Sequence, residues 1–320
     1  MTSSQSQHMD TPRIRAAKAC YNTVGFAALA MAILVHFGTT FMLLVTGKHG
    51  PLHAFESNIW VTQLIQSFML YVIAMPLAVC VMRAAKPVET KESSLSVGQF
   101  VMYLLMCLPI MYVGNLMSSV LASLLTGGQA SSIQSVAGQD NVWAVLVFLV
   151  LISPFMEEWF FRKQVISRLR RYGEKPAIVI SAVIFALGHG IFFQLFYTFG
   201  LGLLFGYIYV RTSRIRYTIA LHMFTNFFGH VVGKHIQTYV LAHSRENDPL
   251  VVLGVSFLLL MVAGFIAGAV LLVLRRRTFV LSEAPEPIPG SLASRISFVN
   301  AGMIWFILIT LALTVGVIYI

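Results

Sequence analysis

Met156-Glu157-Glu158-Trp159-Phe160-Phe161-Arg162 sets two adjacent carboxylates and an arginine at the end of an apolar run that begins near Val142. An ionised side chain inside hydrocarbon is costly unless paired or wetted, so charge in such a place is a functional hypothesis by default. On a helix, Glu158 and Arg162 lie four residues apart on one face, in the favourable order of acid before base. Glu157 points about 100° away from Glu158. The spacing predicts a clasp of Glu158 with Arg162 and a neighbouring carboxylate held for other work. The plainer alternative is the wet end of a membrane helix, since helix ends collect charge.

The chain around the motif is 320 residues long, 58% hydrophobic and 11% charged, with a mean hydropathy of +0.80. Soluble domains do not have this composition. The sequence predicts an all-α polytopic membrane protein. Apolar stretches of about spanning length cover residues 23–45, 59–82, 100–125, 142 into the Glu157 motif, 177–193, 195–210, 217–239, 250–274 and 298–320. That gives about nine transmembrane helices, or eight if the fifth and sixth merge. Residues 1–22 read as a polar cytosolic N-terminus leading into a retained first span, and 23–140 as three accessory helices. Residues 141–240 read as a catalytic core built from the fourth to seventh spans, and 241–320 as C-terminal helices. Pro285, Pro287 and Pro289 make 281–290 a stiff inner linker before a last span expected to be peripheral.

A net charge of +10 would suggest nucleic acid in a soluble protein, but here it reports topology, and no nucleic-acid partner is expected. With the N-terminus inside and alternating spans, nineteen of the 22 basic residues fall inside. Only Lys48, Lys234 and Arg245 fall outside. Merging the fifth and sixth spans would move the Arg211, Arg214 and Arg216 cluster outside, which favours keeping them apart. Cys20, Cys80 and Cys107 have spacings that suggest neither a disulfide framework nor a metal cluster.

Depth brings certain polar groups together. Glu157 lies about 24 Å from the outer end at Asn141, and His222 about 9 Å past Arg216 at the inner end, at about 1.5 Å per residue. His189 and Glu157 are both sixteen residues from Gly173, so an antiparallel hairpin centred there sets them level. Phe185 with His189, and His222 with Asn226, share helical faces. A carboxylate, two imidazoles and an amide at one depth can take a proton from water and bind an oxyanion. Pro154, one turn before Glu157, is expected to free a backbone carbonyl and open a wet pocket facing residues 162–175. Singly, His36, His230, His235, Gln63, Gln66 and Asn115 read as partners in interhelical hydrogen bonds. H-E-x-x-H is absent, no serine has a G-x-S-G setting, and there is no intramembrane Asp pair.

Glu157-Glu158-x-x-x-Arg162, Phe185-x-x-x-His189 and His222-x-x-x-Asn226, in this order on successive segments, resemble the CAAX protease and bacteriocin-processing (Abi) family of intramembrane endopeptidases. The resemblance covers roughly residues 146–229. It implies that Glu157 and His189 activate the hydrolytic water, that His222 and Asn226 stabilise the oxyanion, and that Glu158, Arg162 and Phe185 support them. Members are described both as metalloproteases and as metal-free glutamate enzymes. Glu157, His189 and His222 could hold a divalent metal such as zinc or serve a metal-free mechanism, and the cofactor stays open. The resemblance also implies membrane lipid as surroundings and a peptide or membrane-protein substrate. The expected setting is the bacterial plasma membrane, with the site facing the cytosol. The competing class is a non-enzymatic membrane protein, a proton-coupled transporter or an immunity or scaffold protein, although no inverted repeat is evident and the polar residues cluster on one side.

Overall fold

Backbone in a lipid layer must satisfy its own hydrogen bonds, and a chain this apolar does so by coiling. A computed structural model describes residues 12–55, 58–88, 90–128, 141–243 and 248–316, and every regular element among them is helical. The polar segment 1–10, most of the connector 126–141, Arg245 and residues 317–320 lie outside the described residues.

Each apolar stretch is a helix. In chain order these are α1 (Pro12–Thr46), α2 (Ile59–Ala84), α3 (Val97–Leu125), α4 (Val142–Leu169), α5 (Glu174–Gly188) and α6 (Phe192–Thr212). Then come α7 (residues 215–243), α8 (Pro249–Leu274) and a pair bent by 58°, α9 (Gly290–Phe298) and α10 (Ala301–Gly316). Six of these are long and apolar enough to cross a membrane, or seven if the bent pair is one span. The lower count has two causes. With 15 residues, α5 is about 22 Å long, short of a hydrocarbon core of about 30 Å. The α7 stretch is broken into Ile215–Asn226, Phe227–Gly233 and Lys234–His243.

The fifth and sixth stretches are separate, as expected. α5 and α6 form a hairpin whose arms approach closely, because a Cβ at Gly202 would sit 3.0 Å from Ala182. α5 also packs on the second half of α4, and α7 lies against α4. The last span is not peripheral. α10 lies along α1, with Met303 and Phe306 fully buried, and the Asn22 side chain accepts the Gly302 N–H at 2.9 Å. A Cβ at Gly25 would fall 2.3 Å from the Met303 nitrogen, so backbone meets backbone there, as small residues allow in membrane helices.

The basic end of α4 is tied down rather than projecting into solvent. Arg168 donates to the Gln164 carbonyl at 2.7 Å, and Arg170 to Glu174 at 2.8 Å and the Val210 carbonyl at 3.0 Å, all largely buried. Two connectors cross this end. Val88 N–H donates to Ser167 and Ser93 N–H to Thr212, while Glu286 and Ile288 N–H donate to Arg171 and Tyr172. The Pro-rich stretch 281–290 is therefore a strap, fixed further by the Arg171–Glu286 ion pair at 2.8 Å and by Ser282 N–H to Glu174 at 2.7 Å.

Candidate active site

The local cause of the site is a change of helical register in α4. Val145–Ile152 is wound as a π-helix, in which each carbonyl pairs with the N–H five residues on, and Ser153 N–H accordingly bonds Phe148. The next pair would be Leu149 with residue 154, but Pro154 has no N–H. The freed Leu149 carbonyl is taken by the Asn226 amide of α7 at 2.7 Å. The carbonyl that Pro154 was expected to release thus fixes the amide of the third motif.

One turn later Glu157 and Glu158 are both buried. Ser153 donates to Oε1 of Glu157. Oε2 of Glu157 has no hydrogen-bond partner among the described residues and lies 4.0 Å from Nε2 of His189 and 3.9 Å from Nε2 of His222. The hairpin geometry read from Gly173 is therefore realised. His189 closes α5, and the chain reverses at once through Gly190, whose φ of +64° suits glycine best. Nδ1 of His189 is 2.6 Å from the Phe185 carbonyl, an acceptor, so Nδ1 carries the hydrogen and Nε2 faces Glu157.

Glu158 holds more than its predicted partner. Arg162 donates to both of its oxygens, at 2.9 and 3.3 Å, and His222 Nδ1 lies 3.1 Å from Oε1. Both members of the ion pair are 0% exposed. The third arginine nitrogen donates to Ser181 of α5 at 3.2 Å, and Ser181 donates to the Phe161 carbonyl at 2.9 Å. Phe185 stands among these groups, with Arg162 over its ring at 5.1 Å and the rings of His189 and His222 perpendicular to it at centroid distances of 4.7 and 5.8 Å. Ser153 and Ser181 were missed because a serine in a membrane helix has no distinguishing spacing. Ser153, four residues before Glu157, could have been found by the same face rule that paired Glu158 with Arg162.

Residues 139–228, a span that holds all three motifs, match the model of the family described as Type II CAAX prenyl endopeptidase Rce1-like. That segment is similar to this family. Over 90 residues it is 34% identical to the membrane-embedded CAAX protease MroQ of Staphylococcus aureus (strain USA300), covering 26% of this chain and 36% of that protein. The chain thus aligns with about a third of the length of that relative. No solved structure matches the chain. α1 to α3 and α8 to α10 lie outside the Rce1-like segment.

Those outer helices complete the cavity. A space of about 540 Å³ is lined by Glu157, His189, His222 and Asn226 of the Rce1-like segment and also by His36, Gln63, Gln66 and Ser67 of α1 and α2. Its lining extends away from residues 162–175, the side toward which it was expected to open. Lining runs from Phe161, about 12 Å short of the basic end of α4, to Gln63, about 6 Å from the Ile59 end of α2. The basic end holds buried arginines and is crossed by two connectors, and the α5–α6 hairpin turns back at His189. His36, His230, Gln63 and Gln66, read as separate interhelical partners, share this cavity.

As arranged, the residues do not fit a resident metal ion. Among the described residues no group of three His, Cys, Asp or Glu side chains is placed to hold one. Separations of 3.9 and 4.0 Å between donors exceed the roughly 3.4 Å edge of a tetrahedral zinc shell built from bonds near 2.0–2.1 Å.

Proposed function

We propose that this chain is an intramembrane endopeptidase in which Glu157 is the general base. The observation that carries the reading is the pair of 3.9 and 4.0 Å gaps between Glu157 Oε2 and two imidazole nitrogens, too long for direct hydrogen bonds and the right size for an intervening water. Such a water donates one proton to Glu157 and is oriented by His189 Nε2. Its oxygen then attacks the scissile carbonyl, forming a tetrahedral intermediate. The second N–H of the Asn226 amide, whose other N–H is committed to Leu149, donates to the oxyanion together with protonated His222 Nε2. Nδ1–H of His222 faces Glu158, and that carboxylate stabilises the imidazolium. Glu157 returns its proton to the leaving amine.

The substrate is a peptide or membrane-protein segment within the lipid layer. The N-terminus and basic clusters lie in the cytosol by their charge, and the cavity, extending away from the basic end, receives substrate from the opposite side of the bilayer. The test is cleavage of a fluorogenic leader-peptide library by the purified protein in detergent. Wild type is compared with Glu157→Ala, with and without a chelator. Activity lost in the variant and kept in chelator is the expected result. Activity in Glu157→Ala overturns the mechanism, and loss in chelator moves the site to a metal enzyme.

A further inference from the structure

The wall of the cavity opposite Glu157 has a chemistry that the mechanism leaves unused. Gln63, Gln66 and Ser67 line it at i, i+3 and i+4 on one face of α2, and Leu70 and Tyr71 line it from the π-wound stretch Phe68–Ala74 that follows. Such a face on a helix that crosses a membrane is ordinarily apolar. Here its first turn carries two carboxamides and a hydroxyl, half-buried, and the Gln63 and Gln66 amides bond to no described residue. The lower end reaches the reacting groups, for the Tyr71 side chain lies beside Ser153 and Glu157.

Resting on the endopeptidase reading, we propose that Gln63, Gln66 and Ser67 form a main-chain-binding wall that holds an extended peptide substrate leading into Glu157. A carboxamide presents a donor and an acceptor side by side, as a peptide unit does, so it can pair with main chain whatever the side chains are. The dimensions agree. Gln66 and Gln63 stand five and eight residues before Tyr71 on α2, at most about 7.5 and 12 Å at the α-helical rise, and somewhat less because Phe68–Ala74 is π-wound. An extended chain rises about 3.3 Å per residue, so the two amides meet peptide units roughly two and four residues from the cleaved bond. Recognition through main chain requires an unwound substrate, which is also what hydrolysis requires, because a helical segment has its peptide groups already paired. Apolar side chains of such a peptide face Met31, Met69 and Met75, which adapt to varied shapes. α2 would therefore select for extended conformation in an apolar segment and leave residue identity loosely read.

Binding is measured on full-length Glu157→Gln protein in detergent, so that nothing is turned over. The probes are a fluorescein-labelled decapeptide of Ala, Leu and Val and the same peptide N-methylated at alternate amides. The unmodified peptide is expected to bind at least about fivefold tighter, the fold-change of one neutral hydrogen bond. The preference should shrink to within about twofold when Gln63→Met and Gln66→Met are added, and return with Gln66→Asn in place of Gln66→Met. Thermal midpoints show whether each variant is folded, and Gln66→Met alone replaces the double variant if that does not fold. A preference unchanged by the methionine substitutions overturns the wall, as does failure of both peptides to bind. Cleavage of the unmodified peptide by protein with Glu157 intact is scored separately. Preference without cleavage keeps the wall and removes the enzyme, whereas cleavage without preference keeps the enzyme and removes the wall.

Discussion

Nδ1 of His222 lies 3.1 Å from Oε1 of Glu158, so the second glutamate of the motif serves a histidine on α7 as well as Arg162 on its own helix. That contact links two helices at the depth of the reacting groups. It fixes which nitrogen of His222 faces Glu157, because the other is committed. The Glu158–Arg162 pair is therefore part of the positioning of His222.

Arg162→Met tests this arrangement. Removing the cation leaves a buried carboxylate facing a single imidazole, and loss of one member of a buried pair costs about 3–5 kcal/mol. Glu158→Gln added to Arg162→Met should recover much of that stability in denaturant titrations in detergent, since no uncompensated charge is left. Activity should not return, because an amide does not stabilise the His222 cation. Equal stability of the single and double variants would sink the interpretation.

Ser153→Ala addresses Glu157 from the other side. The hydroxyl donates to Oε1 and turns Oε2 toward the two histidines. Without it the carboxylate is free to rotate, and the rate constant kcat should fall by about tenfold to a hundredfold, as for loss of an orienting partner behind a reacting group. KM should change little. Glu157→Gln should be inactive at every pH, whereas Ser153→Ala retains a pH profile of the same form. A KM effect as large as the kcat effect would mean that Ser153 contacts substrate instead.

Much of this site was legible because it obeys helix arithmetic. Glu158 with Arg162, His189 above Phe185 and Asn226 above His222 follow from spacings of four, and the level of His189 with Glu157 follows from equal distances to Gly173. What stayed hidden depends on tertiary partners. Charge counts located the Arg168 and Arg170 cluster on one side but gave no sign that Glu174, Val210 and the 281–290 strap would bury it. The π-wound register before Pro154 leaves no mark in apolar periodicity, and only the Asn226 to Leu149 bond shows its use. Gln63 and Gln66 read as ordinary bundle amides because nothing in α2 alone says which helix they face.

Gly190→Ala probes how closely the α5–α6 turn sets His189. A non-glycine residue at φ +64° costs about 1–2 kcal/mol, and no neighbour lies within 4 Å of the added carbon, so the cost is conformational rather than a clash. Relaxation of the turn moves the residue directly before it. The expected outcome is a small drop in thermal midpoint with a disproportionate loss of activity, restored in part by Gly190→Asn, which tolerates this conformation. Full activity in Gly190→Ala would show that the strain is absorbed on the α6 side.

Sidedness is the prediction with the widest consequence. Gln63 lines the cavity about 6 Å from the Ile59 end of α2, while Ser282 lies on the strap over the basic end. With exposed Cys80 replaced by serine, and Cys20 and Cys107 left in place as buried thiols, single cysteines at Gln63 and Ser282 can be labelled with a membrane-impermeant maleimide. The Gln63 thiol should react in intact cells and the Ser282 thiol only in inverted vesicles. A substrate analogue added from outside should then protect the first and not the second. The reverse labelling pattern would place the Gln63 end of the cavity in the cytosol and require the charge-based orientation to be abandoned, whereas reaction of both thiols from one side would contradict the direction of the cavity itself.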